Sequence, residues 1–414
     1  MAHPVLGAAQ RHEHRSRLLV RLEGGGAYGY GEVSPQPQAL NGDPGLDEVV
    51  DELVALVIPQ TLDIAEREGE LPRWSRLHLV AGSRRASAPA VALVEMALLD
   101  REVRRGVVDL DDLWPFRHAT PDQATVSALD RATEWSVDPS VARVRVKCGP
   151  SPLEPWVLER VASLGRPILL DYNARADSDE TVLAHVADLG RVATVDVVEQ
   201  PFAPGNLVDP ARLAARLDVA LGMDEGVRSV RDLEHVVRYG AARVVCIKPA
   251  RVGGVAHART MVRWAHEHGL RAYLGGFFES PLARGAHRRL AQSCVSEPSD
   301  LGPVAVRAAQ ADLSGETSDA REGRDAHAGV GAAPSPARLA RARAGVVAVS
   351  TPYTRVHGGA PGASTARGPA AAPGGGPREP TRARGAGPGV ERRPRGRPYP
   401  LAGLRDAPAD PGVR

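Results

Sequence analysis

VRVKC (144–148), PILLDYN (167–173), VDVVEQP (195–201), VALGMDE (219–225) and VVCIKPA (244–250) are five short runs rich in Val, Ile and Leu, each carrying a charged residue at or near its end. The segments between them, such as DETVLAHVADLG (179–190) and VRDLEHVVRYG (230–240), space their apolar residues three and four apart and stop at glycine. That is the pattern of an amphipathic helix with a left-handed C-cap. Strand and helix alternate in this way from Val144 to Gly254, which predicts successive βα units and a parallel sheet.

The charged residues at the ends of the runs are Lys147, Asp171, Glu199, Asp224 and Lys248, separated by 24, 28, 25 and 24 residues. In a (β/α)-barrel each unit returns the chain to the same rim, so residues one unit apart converge there. Parallel barrel strands are buried on both faces, and a carboxylate at the end of one is costly unless it is paired or holds a metal. Three carboxylates at one mouth provide the hard oxygen ligands that suit Mg2+, with Mn2+ as an alternative. Singly, each acid could as well cap a helix or pair with a surface arginine. The even spacing of five groups is what favours a common site.

Lys147 and Lys248 are the only lysines, so 50 of the 52 basic residues are arginine. A surface cation can be either, but only an amine can lose its proton at accessible pH and take one from a substrate. The retention of lysine at these two positions points to acid–base chemistry.

Outward from this block lie YGYGEVSP (28–35), VALVEMALLD (91–100) and YLGGFFES (273–280), with Gly24, Gly25 and Gly26 reading as a hairpin turn. Taken in order, these residues resemble the muconate-lactonizing subgroup of the enolase superfamily over roughly residues 15–303. Arg145-Val146-Lys147 is similar to the family's K-x-K motif, and Asp171, Glu199 and Asp224 match its metal ligands. Lys248 in IKPARVGG matches its second catalytic lysine, and 273–280 its Gly-rich seventh strand. Within the subgroup IKPARVGG and GGFFES look most like o-succinylbenzoate synthases and N-acylamino acid racemases. Dipeptide epimerases usually carry Asp-x-Asp on the eighth strand, where this chain has SEPSDLGP with Asp300 alone.

The resemblance implies an α/β fold: a TIM-like (β/α)-barrel at 124–305 behind an N-terminal α+β capping domain at 1–123 that is short at its N-terminus. It implies a Mg2+-dependent lyase that takes a proton α to a carboxylate and then dehydrates, a step of menaquinone biosynthesis. Racemisation of an N-acylamino acid or epimerisation of a dipeptide is the alternative, and an inactive barrel acting as a binding protein is a further one. Lys147 would be the base, with Lys248 a stabilising cation or, in a racemase, a second acid–base group. Arg145, Asn173, Glu225, Gly276, Glu279 and Ser280 would orient these groups or touch substrate, Glu225 being also an alternative metal ligand. Arg145 replaces a family lysine with a permanent cation. His12, Glu13 and His14 fall in the family's specificity loop, near 8–15. Cys148 and Cys246 read as core fillers.

A formal charge of +2, from 52 basic and 50 acidic residues, gives no field to attract nucleic acid or an anionic membrane, so a small-molecule carboxylate substrate is the better expectation. Three scattered cysteines make no disulfide framework, and no run of 18 apolar residues occurs, which fits a soluble cytoplasmic protein and leaves a homo-oligomer open. From 306 to 414 the chain turns to Ala, Arg, Gly and Pro, as in HGGAPGASTARGPAAAPGGGPREP, a composition unable to bury a core. A disordered tail and a barrel incomplete at its C-terminal end are the expectations there.

Overall fold

The computed structural model describes residues 5–6, 11–12, 16–79, 85–117, 119–132, 135, 137–301 and 329–330. These lie in the first of two compact units, Met1–Val356; the second, His357–Arg414, falls outside them. Of the specificity-loop residues, Glu13 and His14 also lie outside, and His12 is described only as backbone of the pair β1 (Val5–Leu6) and β2 (Arg11–His12). The tail expected at 306–414 is outside too, apart from Gly329 and Val330.

The N-terminal part is built on an antiparallel hairpin, β3 (Leu18–Gly24) and β4 (Ala27–Val33), turned by Gly25 and Gly26 at φ 59° and 75°. The helix Ala88–Arg104 lies across it with fifteen residues buried, because VALVEMALLD is apolar on nearly every side and must be covered all round. The alternating glycines of YGYG let the two meet: a Cβ on Gly29 or Gly31 would sit 2.1 or 2.0 Å from the carbonyl oxygens of Ala97 or Leu93.

Seven parallel strands follow in sequential order: β5 (Gln123–Ser127), β6 (Arg143–Lys147), β7 (Ile168–Asp171), β8 (Val195–Glu199), β9 (Ala220–Met223), β10 (Val244–Ile247) and β11 (Arg271–Leu274). The last helix of this series, Pro281–Cys294, is followed by a short segment that joins the two edges of the sheet. Asp300 N–H donates to the Leu274 carbonyl on β11 (3.0 Å), while Gln123 N–H on β5 donates to the Ser299 carbonyl (3.1 Å). This segment bridges the two edges of the seven-stranded sheet before the expected tail begins, with no eighth strand among the described residues. Val144 and Val146 pack outward against the helices; Leu169, Val197, Val244, Cys246 and Tyr273 fill the interior. No helix among the described residues is long and apolar enough to cross a membrane.

Buried carboxylates join the two parts. Glu32 on β4 accepts from Ser280 N–H (2.7 Å), the Ser280 hydroxyl (2.6 Å) and Ala283 N–H (3.2 Å) at the start of the helix Pro281–Cys294. Glu95 accepts from Val255 and Ala256 N–H (2.7 and 3.1 Å) at the start of the helix Val255–Glu267. Asp100 accepts from Tyr30 N–H (2.9 Å) and from Val330 N–H (2.8 Å), so the buried Val330 is held to the capping helix.

Burial pushes the Glu95 carboxyl up to about 8 despite its two N–H donors. An unfolded glutamate loses its proton near about 4.3. Between those values the folded chain binds the extra proton, so stability falls as pH rises through the interval. Glu95→Gln, a mimic of the protonated carboxyl, is expected to flatten the decline in melting temperature between about pH 5 and pH 8 measured by scanning calorimetry. A slope equal to that of the parent protein would show that Glu95 ionises without cost.

Candidate active site

Strand alternation aims the charged residues inward. Arg145 and Lys147 share a face of β6, opposite to Val144 and Val146, which pack against the helices. In the same way Asp171 follows Leu169, Glu199 follows Val197, and Lys248 follows Val244 and Cys246, all of whose partners line the interior. The register sets Lys147 beside Asp171 and Asp171 beside Glu199, with Glu199 beside Gly222, two residues before Asp224. All five groups therefore reach one end of the barrel, where Asp171 and Asp224 are fully buried and Glu199 is 1% exposed.

Each acid meets a cation. Lys147 Nζ donates to Asp171 Oδ2 (2.8 Å) and to Asn173 Oδ1 (2.5 Å), and Asn173 Nδ2 in turn donates to Glu225 Oε1 (3.1 Å). Lys248 Nζ donates to Asp224 Oδ2 (2.6 Å), and the other oxygen of Asp224 pairs with Arg251. Arg145 lies 3.0 Å from Glu199, 3.7 Å from Asp171 and 3.5 Å from Asp300, and donates to the Tyr273 hydroxyl (2.8 Å). Its charge is directed at carboxylates, so it ties strands together from the centre of the ring.

Burial pushes the Glu199 carboxyl up; Arg145 pulls it back, Asp171 and Asp224 add repulsion, and the net is well above the ordinary range. For Asp224 burial is outweighed by Lys248, Arg251 and Arg145, which hold it ionised below that range. Lys248 moves upward: burial favours the neutral amine, but Asp224 overrides it and keeps the ammonium. Burial and the neighbouring Asp224 raise Glu225. Cys148 and Cys246 are buried free thiols whose pKa burial raises, as suits packing residues.

Whether the donors suit a divalent cation can be tested on these atoms. Among the described residues no three acid, His or Cys side chains form a ready coordination cluster, since Asp171 and Asp224 lean on their lysines. The donor chemistry fits nevertheless. The acids are buried hard-oxygen groups on consecutive strands that repel one another; Glu225 Oε2 has no hydrogen-bond partner, and Glu199 Oε1 is met by the Arg145 ion pair at 3.0 Å.

Three residues singled out in the sequence take other places. Ser280 caps the helix Pro281–Cys294 and is bound by Glu32. Glu279 pairs with Arg284 (3.3 Å), and Gly276 packs against both. It is Gly275 that abuts a site lysine: a Cβ there would lie 2.7 Å from Cys246 Sγ and 3.0 Å from Lys248 Cε. Sequence reading also passed over Arg251, Tyr273 and Gln200. Gln200 has φ 39°, and its side-chain oxygen accepts from Asp224 and Gly226 N–H (3.0 and 3.1 Å), fixing the turn that carries Asp224. Arg251 stood in plain view, a charge between apolar neighbours in KPARVGG.

Residues 131–334 match the family model described as Enolase C-terminal domain-like. With the seven parallel strands in sequential order, this places residues 131–334 in the enolase superfamily. It is 28% identical over 318 residues to a chloromuconate cycloisomerase of Cupriavidus pinatubonensis, covering 71% of this chain and 82% of that protein. It is also 28% identical over 224 residues to an o-succinylbenzoate synthase of Enterococcus faecalis, covering 51% and 59%, so the match spans little more than half of that relative. The structure of a probable mandelate racemase from Alicyclobacillus acidocaldarius superposes with a TM-score of 0.61 at 24% identity, covering 73% of this chain and 82% of that one, a likeness of fold.

The side chain of Arg145 is 4% exposed, so removing its charge leaves Glu199 without its ion-pair partner and Asp171 with Lys147 alone. Arg145→Met is expected to lower the free energy of urea unfolding, without added metal, by about 3–5 kcal/mol. A loss below about 1 kcal/mol would mean that these acids are solvated or protonated without it.

Proposed function

We propose that this chain is a metal-assisted lyase of the o-succinylbenzoate synthase kind, acting on a small carboxylate: a hydroxylated cyclohexadiene carboxylate loses its α-proton and then water. The observation that carries the reading is the K–D–E–D–K arc over β6 to β10, an amine at each end and three buried carboxylates between. The E. faecalis relative, named for this activity, lends support.

Asp171, Glu199 and Asp224 would hold the ion, Mg2+ or Mn2+, with Glu225 next to them. When bound, such an ion supplies positive charge beside the substrate carboxylate and lowers the cost of the negative charge that appears as the α-proton leaves. Lys147 Nζ, anchored by Asp171 and Asn173, takes that proton on one face of the substrate. The same group, now an ammonium, returns it to the departing hydroxide. Lys248, kept charged by Asp224, stands on the opposite side and offsets the developing anion. Arg145 holds Glu199 in place during these transfers.

Racemisation of an N-acylamino acid is the second reading. It is favoured by the symmetry of the arc, in which each lysine is hydrogen-bonded to its own aspartate, so that one can remove the proton and the other return it.

Purified protein with Mg2+ is expected to dehydrate the cyclohexadiene carboxylate, followed by absorbance. Rotation of an N-succinylamino acid with no dehydration would favour the racemase instead. In heavy water, substrate exchange is expected to fall about 10²–10⁴-fold in Lys147→Ala. Exchange unchanged in both Lys147→Ala and Lys248→Ala would refute the assignment of the two amines.

A further inference from the structure

A turn of the capping domain reaches the third carboxylate of the ring through one arginine. Asn41 and Gly42, at φ 51° and 83°, form a two-residue turn whose flanking residues pair, Asp43 N–H donating to the Leu40 carbonyl (2.9 Å) and Leu40 N–H to that of Asp43 (3.0 Å). The turn presents Asp43 to the barrel. Arg251 donates from Nε to Asp43 Oδ1 (2.9 Å) and from Nη2 to Oδ2 (2.7 Å), a two-pronged pair. Its remaining nitrogen, Nη1, donates to the Asp224 backbone oxygen (3.1 Å) and pairs with the Asp224 carboxylate. The side chains of Asp43, Arg251 and Asp224 are 7%, 2% and 0% exposed.

We propose that Asp43 is a positioning residue for the metal site: by locking the guanidinium of Arg251 from the capping side, it fixes where the carboxylate of Asp224 stands. The proposal rests on the reading of Asp224 as a ligand. A guanidinium is a rigid planar fork, so holding two of its nitrogens determines the direction of the third. Without Asp43, Arg251 keeps its charge, loses its orientation, and is free to draw Asp224 away from Glu199.

Docking alone is a different role, and a second arginine separates the two. Arg228 donates to the carbonyls of Gly42 (2.9 Å) and Asn41 (2.5 Å) and to Asp43 (3.0 Å), and none of these bonds reaches Asp224. Arg228→Ala loosens the turn and leaves the pair between Asp43 and Arg251 intact.

Mn2+ binding to the full chain, measured by calorimetry, is expected to weaken about 10–100-fold in Asp43→Asn, the range for a partner behind a ligand, and by less than roughly two-fold in Arg228→Ala, whose side chain is partly exposed. Parent-like binding in Asp43→Asn, or equal losses in the two variants, would overturn the proposal. Independently of metal, the urea midpoints of Asp43→Asn, Asp224→Asn and their double variant report the coupling. The double variant is expected to lose no more than the worse single one, and simple addition of the two losses would also overturn it. If the parent protein binds no Mn2+ while the coupling is present, the metal reading falls and the coupling of Asp43 to Asp224 stands.

Discussion

Everything at the mouth of this barrel follows from the cost of burying ionised carboxylates. Asp171, Glu199 and Asp224 end strands that are covered on both faces, and none is more than 1% exposed. An isolated charge in such a place is expensive enough to protonate or to unfold its surroundings. The chain answers with four cations, Arg145, Lys147, Lys248 and Arg251, each hydrogen-bonded or paired to at least one of the acids. The compensation is uneven. Asp224 has a cation on each oxygen and stays ionised, whereas Glu199 shares the single guanidinium of Arg145 between its two oxygens and feels two neighbouring carboxylates. A site that is satisfied at its edge and strained at its centre suits the entry of a further positive charge.

The same constraint shapes the contact between capping domain and barrel. The capping side contributes Glu32, Asp43 and Glu95, all buried, and each finds barrel donors: the start of one helix, the fork of Arg251, the start of another helix. Helix N-termini carry unsatisfied N–H groups and a partial positive charge, so Glu95 meets complementary groups without a formal cation, while Glu32 has Arg17 at 3.5 Å besides. These contacts are directional. Apolar packing such as that of Ala250 against the capping core holds the two parts together, while the acids determine how they meet.

The barrel strands and the five ring residues were legible because two regularities, apolar runs and a spacing near 25 residues, repeat over a hundred residues. The direction of the side chains past the strand ends was not legible: β9 stops at Met223, so strand parity does not choose between Asp224 and Glu225, and the structure buries both at the site, Glu225 accepting from Asn173 Nδ2. What could not be read were contacts between residues distant in sequence. Asp43 and Arg251 lie 208 residues apart, and no local pattern marks an aspartate in a polar turn as the partner of a buried guanidinium. Ser280 was ambiguous for the opposite reason. Its neighbourhood suits a helix cap and a substrate contact alike, and only the presence of Glu32 beneath it decides for the cap.

The order of the ring has a geometric consequence for the proposed chemistry. Five adjacent strands present Lys, Asp, Glu, Asp and Lys, and each lysine is hydrogen-bonded to the acid of the strand beside it, Lys147 to Asp171 and Lys248 to Asp224. Neither amine can swing toward the other without giving up its acid. A carboxylate substrate drawn to the centre of the arc, near Glu199, therefore has an amine on each flank by construction. Their environments differ: Lys248 lies under the ring of Phe277 at 5.2 Å with Gly275 packed against its stem, while Lys147 shares its proton-bearing nitrogen with an amide oxygen of Asn173. Under the proposed dehydration the enclosed Lys248 would be the fixed charge and Lys147, beside the neutral amide of Asn173, the group that passes the proton, although the arc itself is nearly symmetric.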